Sequence, residues 1–125
     1  MMIIEILNRL LEHSNHCIQV REDPNLQIPA FSVIEKDMYG RYIPLILINQ
    51  KLFPYDKNIY AHILAHEWGH HILKHTSTDP NTLTVNQRDL VELEADKYAF
   101  DFINEYKYNI VEITKYIKKK FYKRL

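Results

Sequence analysis

The chain has 125 residues and a mass of 15.1 kDa, which fits one domain spanning residues 1–125 and leaves no room for a second. Apolar residues make up 46% of the chain and charged residues 26%, a composition typical of a folded globular domain rather than a disordered one. Sixteen basic residues balance sixteen acidic ones, which argues against a dedicated nucleic-acid-binding protein.

Several classes of protein are excluded by what the sequence does not contain. The single cysteine, Cys17, cannot form an internal disulfide, so nothing requires an oxidising compartment. The first residues carry charged side chains and lack a small-residue cleavage site, so no secretory signal is expected. No apolar run approaches the roughly 20 residues of a membrane span. These features predict a soluble, cytoplasmic protein that does not contact membranes.

The N-terminal half is predicted to contain one helix and three strands. An amphipathic helix over residues 2–13 precedes a short strand from Cys17 to Val20. Two further strands, Phe31–Glu35 and Tyr42–Asn49, are predicted to pair as a hairpin. The apolar run in the last strand predicts that it is buried. If this strand lies at an edge of the sheet, an extended substrate could pair with it.

The C-terminal half is predicted to be helical. A helix from about Lys57 to Lys74 ends in a polar loop, Thr76–Asn81. A second helix begins at Asn86, with Asp89 three residues later, and runs to about residue 104. Asn109 and Glu112, three residues apart, resemble the capping box at the start of a last helix. The whole pattern predicts an α+β fold with a small antiparallel or mixed sheet, an active-site helix and two C-terminal helices.

The chemistry is concentrated in one short motif, H-E-x-x-H, at residues 66–70. Positions four apart on a helix lie one turn apart on the same face, so the imidazoles of His66 and His70 can reach one ion. Nitrogen ligands at this separation suit Zn²⁺. Glu67 points about 100° around the helix from His66, which suits a general base that takes a proton from the attacking water.

A catalytic zinc site needs a third protein ligand. The extended motif with a third histidine is excluded, because its Gly and His positions are Leu73 and Thr76 here. The following helix offers Glu92 instead, which shares one face with Ala95 and Ala99, whose small side chains permit close helix packing. We therefore expect Glu92 to be the third ligand.

Two further acidic residues follow on the same helix. Asp96 lies one turn after Glu92 and can accept a hydrogen bond from the outer N–H of a ligating histidine, which fixes its tautomer. Glu94 lies about 160° from Glu92 on a helical wheel and is expected on a more solvated side.

Three motifs together resemble the ImmA/IrrE family of zinc metallopeptidases. They are the run Leu45–Asn49, the stretch Ile63–His75 and the segment Glu92–Phe100, and the likeness covers about residues 40–104. The family's E-x-x-A-N motif ends in Asp96 here, a form that other Glu-liganded zinc proteases use. The resemblance implies a zincin-like minimal metalloprotease core. It also implies cleavage of a helix-turn-helix (XRE-type) repressor, which relieves repression of a mobile element, prophage or stress response.

The remaining chemistry-bearing residues have less specific interpretations. His62 is expected to line the helix, with support of the metal site as the alternative, and His71 and His75 are expected to be structural. Residues 115–125 carry six positive charges and no negative one, which is typical of the solvated face of a last helix. None of the nine tyrosines, among them Tyr39, Tyr60 and Tyr98, is singled out as an oxyanion donor.

The sequence therefore predicts a zinc-dependent endopeptidase whose partner is a protein substrate. Two alternatives remain open at this point. One is a non-catalytic zinc-containing module that sequesters a repressor or another protein, although binding alone does not need the general base Glu67. The other is a DNA-associated zinc protease that uses the basic tail, for which salt-dependent DNA binding would be the signature.

Overall fold

The computed structural model describes residues 2–77 and 79–124. Within them the chain forms four α-helices, three strands and three short 3-10 turns, which confirms the α+β class. The elements are α1 (Met2–Ser14), β1 (Gln19–Glu22), β2 (Ala30–Lys36), β3 (Tyr42–Ile48), α2 (Lys57–Ile72), α3 (Val85–Glu105) and α4 (Ile110–Arg124). The 3-10 turns are Gln50–Leu52, His75–Ser77 and Pro80–Thr82, so the predicted polar loop before α3 is partly ordered into turns.

The sheet is mixed, with the strand order β1-β3-β2. The predicted hairpin is confirmed, because β2 and β3 pair antiparallel with Ala30 opposite Ile48. β1 pairs parallel with β3, and its first residue, Gln19, lies opposite Leu45. Because β3 is central, the condition under which an extended substrate could pair with it is not met, and β1 and β2 are the edges.

The first strand begins two residues later than predicted. Cys17 is exposed and Ile18 is buried in the core, but neither takes part in the sheet. The position of β1 is set by its register against β3, a partner that is distant in sequence. Local apolar pattern could not supply that register, because parallel pairing depends on tertiary contacts.

Helix α2 crosses the centre of the molecule. Its start is fixed by Asp56, whose side chain accepts hydrogen bonds from the backbone N–H groups of Asn58 and Ile59. The predicted end at Lys74 is two residues too late, because Leu73 caps the helix and Lys74 adopts a left-handed conformation with φ of 62°. The chain therefore turns back towards α2 directly after the helix ends.

Helix α3 begins at Val85, one residue before the predicted start. Thr84 caps it through a reciprocal pair of bonds: Gln87 N–H donates to Thr84 Oγ1 at 3.1 Å, and Thr84 N–H donates to Gln87 Oε1 at 2.8 Å. This capping box satisfies two free donors at once, which is why it takes precedence over Asn86. Further along α3, the fully buried Ala95 and Ala99 pack where the helix meets α2.

The last helix starts next to its predicted cap, Asn109, whose side chain accepts from the N–H of Val111 at 2.9 Å. Glu112, the second residue of the expected capping box, contacts Lys115 at 3.6 Å. Of the basic tail, Lys115, Lys118 and Lys119 are exposed, whereas the side chains from residue 120 onward lie outside the described residues. In the described part of the chain, no helix combines the length and apolar character needed to cross a membrane.

Candidate metal centre

The two histidines of the H-E-x-x-H motif face each other on α2. Their Nε2 atoms are 3.1 Å apart, and the side chains of His66 and His70 are only 17% and 11% exposed. One helical turn separates the residues, which is the spacing that brings both rings to the same face. The pair therefore presents two nitrogen donors to one point at the surface of the helix.

Glu92 joins this pair from α3. Its Oε2 atom is 2.8 Å from His66 Nε2, and its Oε1 atom is 3.5 Å from His70 Nε2. Ligands in tetrahedral zinc sites lie roughly 3.3 Å from one another, because each is about 2.0–2.1 Å from the metal. The two nitrogens and the carboxylate thus fit a zinc ion in both chemistry and spacing, and the structure brings together the three residues expected to hold it.

Asp96 lies on the opposite side of the His66 ring. Its Oδ1 atom is 2.7 Å from His66 Nδ1, and the same oxygen is 3.9 Å from His62 Nε2. This contact leaves His66 Nε2 directed at Glu92, because a histidine that donates through Nδ1 keeps its other nitrogen for a second partner. The structure places Asp96 where it can orient His66, and it places His62 beside Asp96.

The two carboxylates favour positive charge at this point of the molecule. Burial opposes the charged form of His66, but hydrogen bonds with Asp96 and Glu92 outweigh burial and raise the pKa of His66 to about 10. Hydrogen bonds from His66 and His70 hold the pKa of Glu92 far below its usual range. Glu92 is therefore ionised at neutral pH, as a metal ligand must be, and the site has a net preference for a cation.

Glu67 is held beside the histidines by the sheet. The hydroxyl of Ser32, on β2, donates to Glu67 Oε2 and also lies 2.9 Å from the Glu67 backbone carbonyl. The possible ligand atoms of His66, Glu67 and His70 all lie within 4.8 Å of one another. The Glu67 carboxylate is consequently adjacent to the candidate metal position. Sequence reasoning missed Ser32, because nothing in a strand pattern marks its contact with a distant helix.

The histidines after the motif divide into two kinds. His71 lies with Nε2 2.8 Å from the backbone carbonyl of Leu45, which fixes the end of α2 to β3, in agreement with a structural role. His75 instead contacts His70, with 3.0 Å between their Nδ1 atoms. Its Nε2 atom is 3.5 Å from Glu94 Oε1, so Glu94 reaches the histidine cluster although its side chain is 48% exposed.

Gly69 allows α3 to approach α2 at the level of the site. A Cβ atom added at Gly69 would lie 3.0 Å from both Cβ and Cδ1 of Tyr98, tighter than side chains normally tolerate. Tyr98 belongs to the same helix as Glu92, so the close packing at Gly69 contributes to the distance between Glu92 and the two histidines. The glycine of the motif therefore has a packing function that its spacing alone does not indicate.

Replacement of Gly69 by alanine should disturb both stability and the site. Overpacking costs roughly 1–3 kcal/mol, whereas the better helix propensity of alanine returns about 1 kcal/mol, so we expect a net loss of up to about 2 kcal/mol. Zinc binding should weaken as α3 shifts. Gly40→Ala is the control, because Gly40 has φ of +78° in the β2–β3 turn and its replacement strains only that turn. Urea unfolding and zinc affinity measured on both variants test this, and a wild-type zinc affinity in Gly69→Ala would contradict it.

The three tyrosines considered above have contacts outside the histidine cluster. The Tyr98 hydroxyl is 3.1 Å from His13 Nδ1, and burial raises its pKa to about 12. Tyr60 is buried and stacks on Phe53. Tyr39 is exposed in the turn before β3. None of these contacts joins a tyrosine hydroxyl to His66, Glu67 or His70.

The chain was compared with family models, with curated proteins and with solved structures. No family model, no curated protein and no solved structure matches the chain. The functional interpretation therefore depends on the motifs and on the geometry of the site.

Proposed function

We propose that the protein is a zinc-dependent endopeptidase with a zincin-like core of the ImmA/IrrE kind. One observation carries this proposal: two imidazole nitrogens and the carboxylate of Glu92 converge from two helices, with the carboxylate of Glu67 next to them. Three ligands from His66, His70 and Glu92 leave one position open in a tetrahedral site, which is the arrangement of catalytic rather than structural zinc.

The chemistry divides between the ion and the chain. Zinc, when bound, acts as a Lewis acid that polarises a carbonyl and lowers the pKa of water. Glu67 takes the proton from the attacking water and then delivers it to the leaving amine. Ser32 holds the Glu67 carboxylate in one orientation, and Asp96 holds His66 in the tautomer that leaves Nε2 free for the metal.

The edge strand β2 gives this site a place for a peptide. It lies at the outside of the sheet, and its residue Ser32 contacts Glu67. An extended peptide that pairs with a free strand edge would therefore pass beside the general base. The three motifs support a helix-turn-helix (XRE-type) repressor as the substrate, in the cytoplasm, where its cleavage would relieve repression of a mobile element, prophage or stress response.

The zinc content of the purified protein tests the first part of the proposal. We expect about one zinc per chain in protein prepared without chelator, and both His66→Ala and His70→Ala should lose most of it, because two remaining ligands compete poorly with water. His71→Ala is the matched control, since His71 contacts a backbone carbonyl of β3 instead. Metal analysis gives the answer. A wild-type chain that is free of metal and takes up no added zinc would contradict the proposal.

The substrate is tested by co-expression with a small helix-turn-helix repressor, taken from the neighbouring genes where one is encoded there. We expect repressor fragments on a gel when the wild-type chain is present. An intact repressor together with a zinc-loaded chain would contradict the substrate assignment and leave the metal site unaffected.

A further inference from the structure

The chain returns to the candidate metal centre directly after α2. Lys74, in its left-handed conformation, turns the backbone so that His75 lies against the last turn of the helix. The rings of His70 and His75 have centroids 5.2 Å apart and are inclined by 63°. The side chain of His75 is only 11% exposed, so its position is fixed by packing.

The protons on these two rings are determined once His70 binds a cation. A neutral imidazole carries one hydrogen, so a His70 whose Nε2 lone pair is used for a ligand bond must carry its hydrogen on Nδ1. The atom that faces this hydrogen is His75 Nδ1, at 3.0 Å, which must therefore accept it. His75 then carries its own hydrogen on Nε2, which faces the carboxylate of Glu94 at 3.5 Å.

We propose that His75 and Glu94 position His70 for metal binding, as Asp96 does for His66. This inference rests on the proposed function. Nδ1 of His70 would donate a hydrogen bond to His75, and Nε2 of His75 would donate one to Glu94. His70 would thus be connected to a carboxylate through the ring of His75. The expectation that Glu94 lies on a more solvated side than Glu92 is wrong, since the side chain of Glu94 is 48% exposed and that of Glu92 is 59% exposed. The contact of Glu94 with His75 gives α3 three carboxylates around the site, those of Glu92, Glu94 and Asp96.

Zinc affinity, measured by competition with a chromophoric chelator at one pH, tests the inference. His75→Leu removes the acceptor and should weaken zinc binding roughly 10- to 100-fold, the usual effect of losing such a partner. His75→Asn places an amide oxygen near the position of Nδ1 and should restore most of the affinity. This second variant also keeps the test decisive if His75→Leu does not fold.

Two matched controls separate positioning from general loss of stability. His13→Leu removes another ring of low exposure, 19%, that also contacts a glutamate of α3, and its zinc affinity should remain close to that of wild type. Glu94→Gln should weaken zinc binding by up to about tenfold. Glu105→Gln should leave zinc binding unchanged. Glu105, which like Glu94 is on α3, also contacts a histidine, His13 of α1, at 3.1 Å.

The outcomes distinguish this inference from the proposed function. A wild-type chain that binds zinc, combined with wild-type affinity in His75→Leu, would overturn the role of His75 and leave the metal site intact. Equal losses in His75→Leu and His13→Leu would also overturn it, since a structural effect would then explain both. A wild-type chain that binds no zinc would overturn the proposed function itself.

Discussion

Replacement of Glu92 by alanine is expected to reduce the zinc content from about one ion per chain to near zero and to abolish proteolysis. Glu92 provides the only carboxylate within 3.5 Å of the Nε2 atoms of both His66 and His70 among the contacts of the described residues. Without it, two nitrogens on one helix remain, and α3 no longer contributes a ligand. Metal analysis and a cleavage assay on the same preparation would measure both losses.

The controls for this experiment lie on the same helix. Asp89 is exposed and one turn earlier, and Asp89→Ala should change stability by at most about 0.5 kcal/mol without loss of metal. Asp96→Ala should fall between the two, with a loss of roughly 10- to 100-fold in zinc affinity or activity. Retention of zinc in Glu92→Ala but not in Glu67→Gln would make Glu67 the ligand and contradict the assignment.

Glu67→Gln separates catalysis from binding. The variant should fold and keep its zinc, because Glu67 is not among the proposed ligands, but its cleavage rate should fall by about 10²- to 10⁴-fold since an amide cannot accept a proton from water. Ser32 can still donate a hydrogen bond to the amide oxygen, so the side chain should stay in place. The assay is co-expression with the repressor, followed by a gel for fragments and a measurement of zinc content.

This variant also distinguishes the alternative of a sequestering module. Equal relief of repression by wild type and Glu67→Gln, with the repressor intact in both, would favour sequestration over cleavage. Glu112→Gln serves as the control, since Glu112 lies on α4 and contacts Lys115. Normal cleavage by Glu67→Gln would contradict the role of Glu67 as general base.

Local pattern was sufficient for the helices and the hairpin. The spacing of apolar residues predicted α1, and start and stop signals predicted α2. The side chain of Asn109 marked the start of α4. All of these signals involve residues within a few positions of each other. The parallel register of β1 and the capping box of α3 were missed. The register depends on a partner strand in another part of the chain. The choice between Thr84 and Asn86 as the cap of α3 depends on which side chain forms a reciprocal pair of hydrogen bonds with the first turn of the helix.

For the candidate site, the sequence was likewise sufficient for some residues and not for others. The spacing of four residues predicted that His66 and His70 lie on one face of a helix. Glu92 was predicted as the third ligand because it shares a helix face with two alanines. The contacts of Ser32 and His75 were not predictable from the sequence. Ser32 reaches the site from a strand, and His75 reaches it because the residue before it, Lys74, adopts a left-handed conformation. Their identity as serine and histidine says little until the fold places them next to Glu67 and His70.

If the substrate pairs with β2 as proposed, the edge position of this strand limits where a repressor can be cut. Strand pairing requires a chain whose backbone N–H and C=O groups are free, and these groups are already paired with one another inside a helix. A helix-turn-helix domain therefore offers β2 only its linkers, its termini or segments that have locally unfolded. Since side chains alternate along a paired strand, only every second residue of the bound segment would face the side of the sheet from which Ser32 reaches Glu67. Both the flexibility of the segment and a two-residue periodicity in its sequence would thus determine the cleavage site.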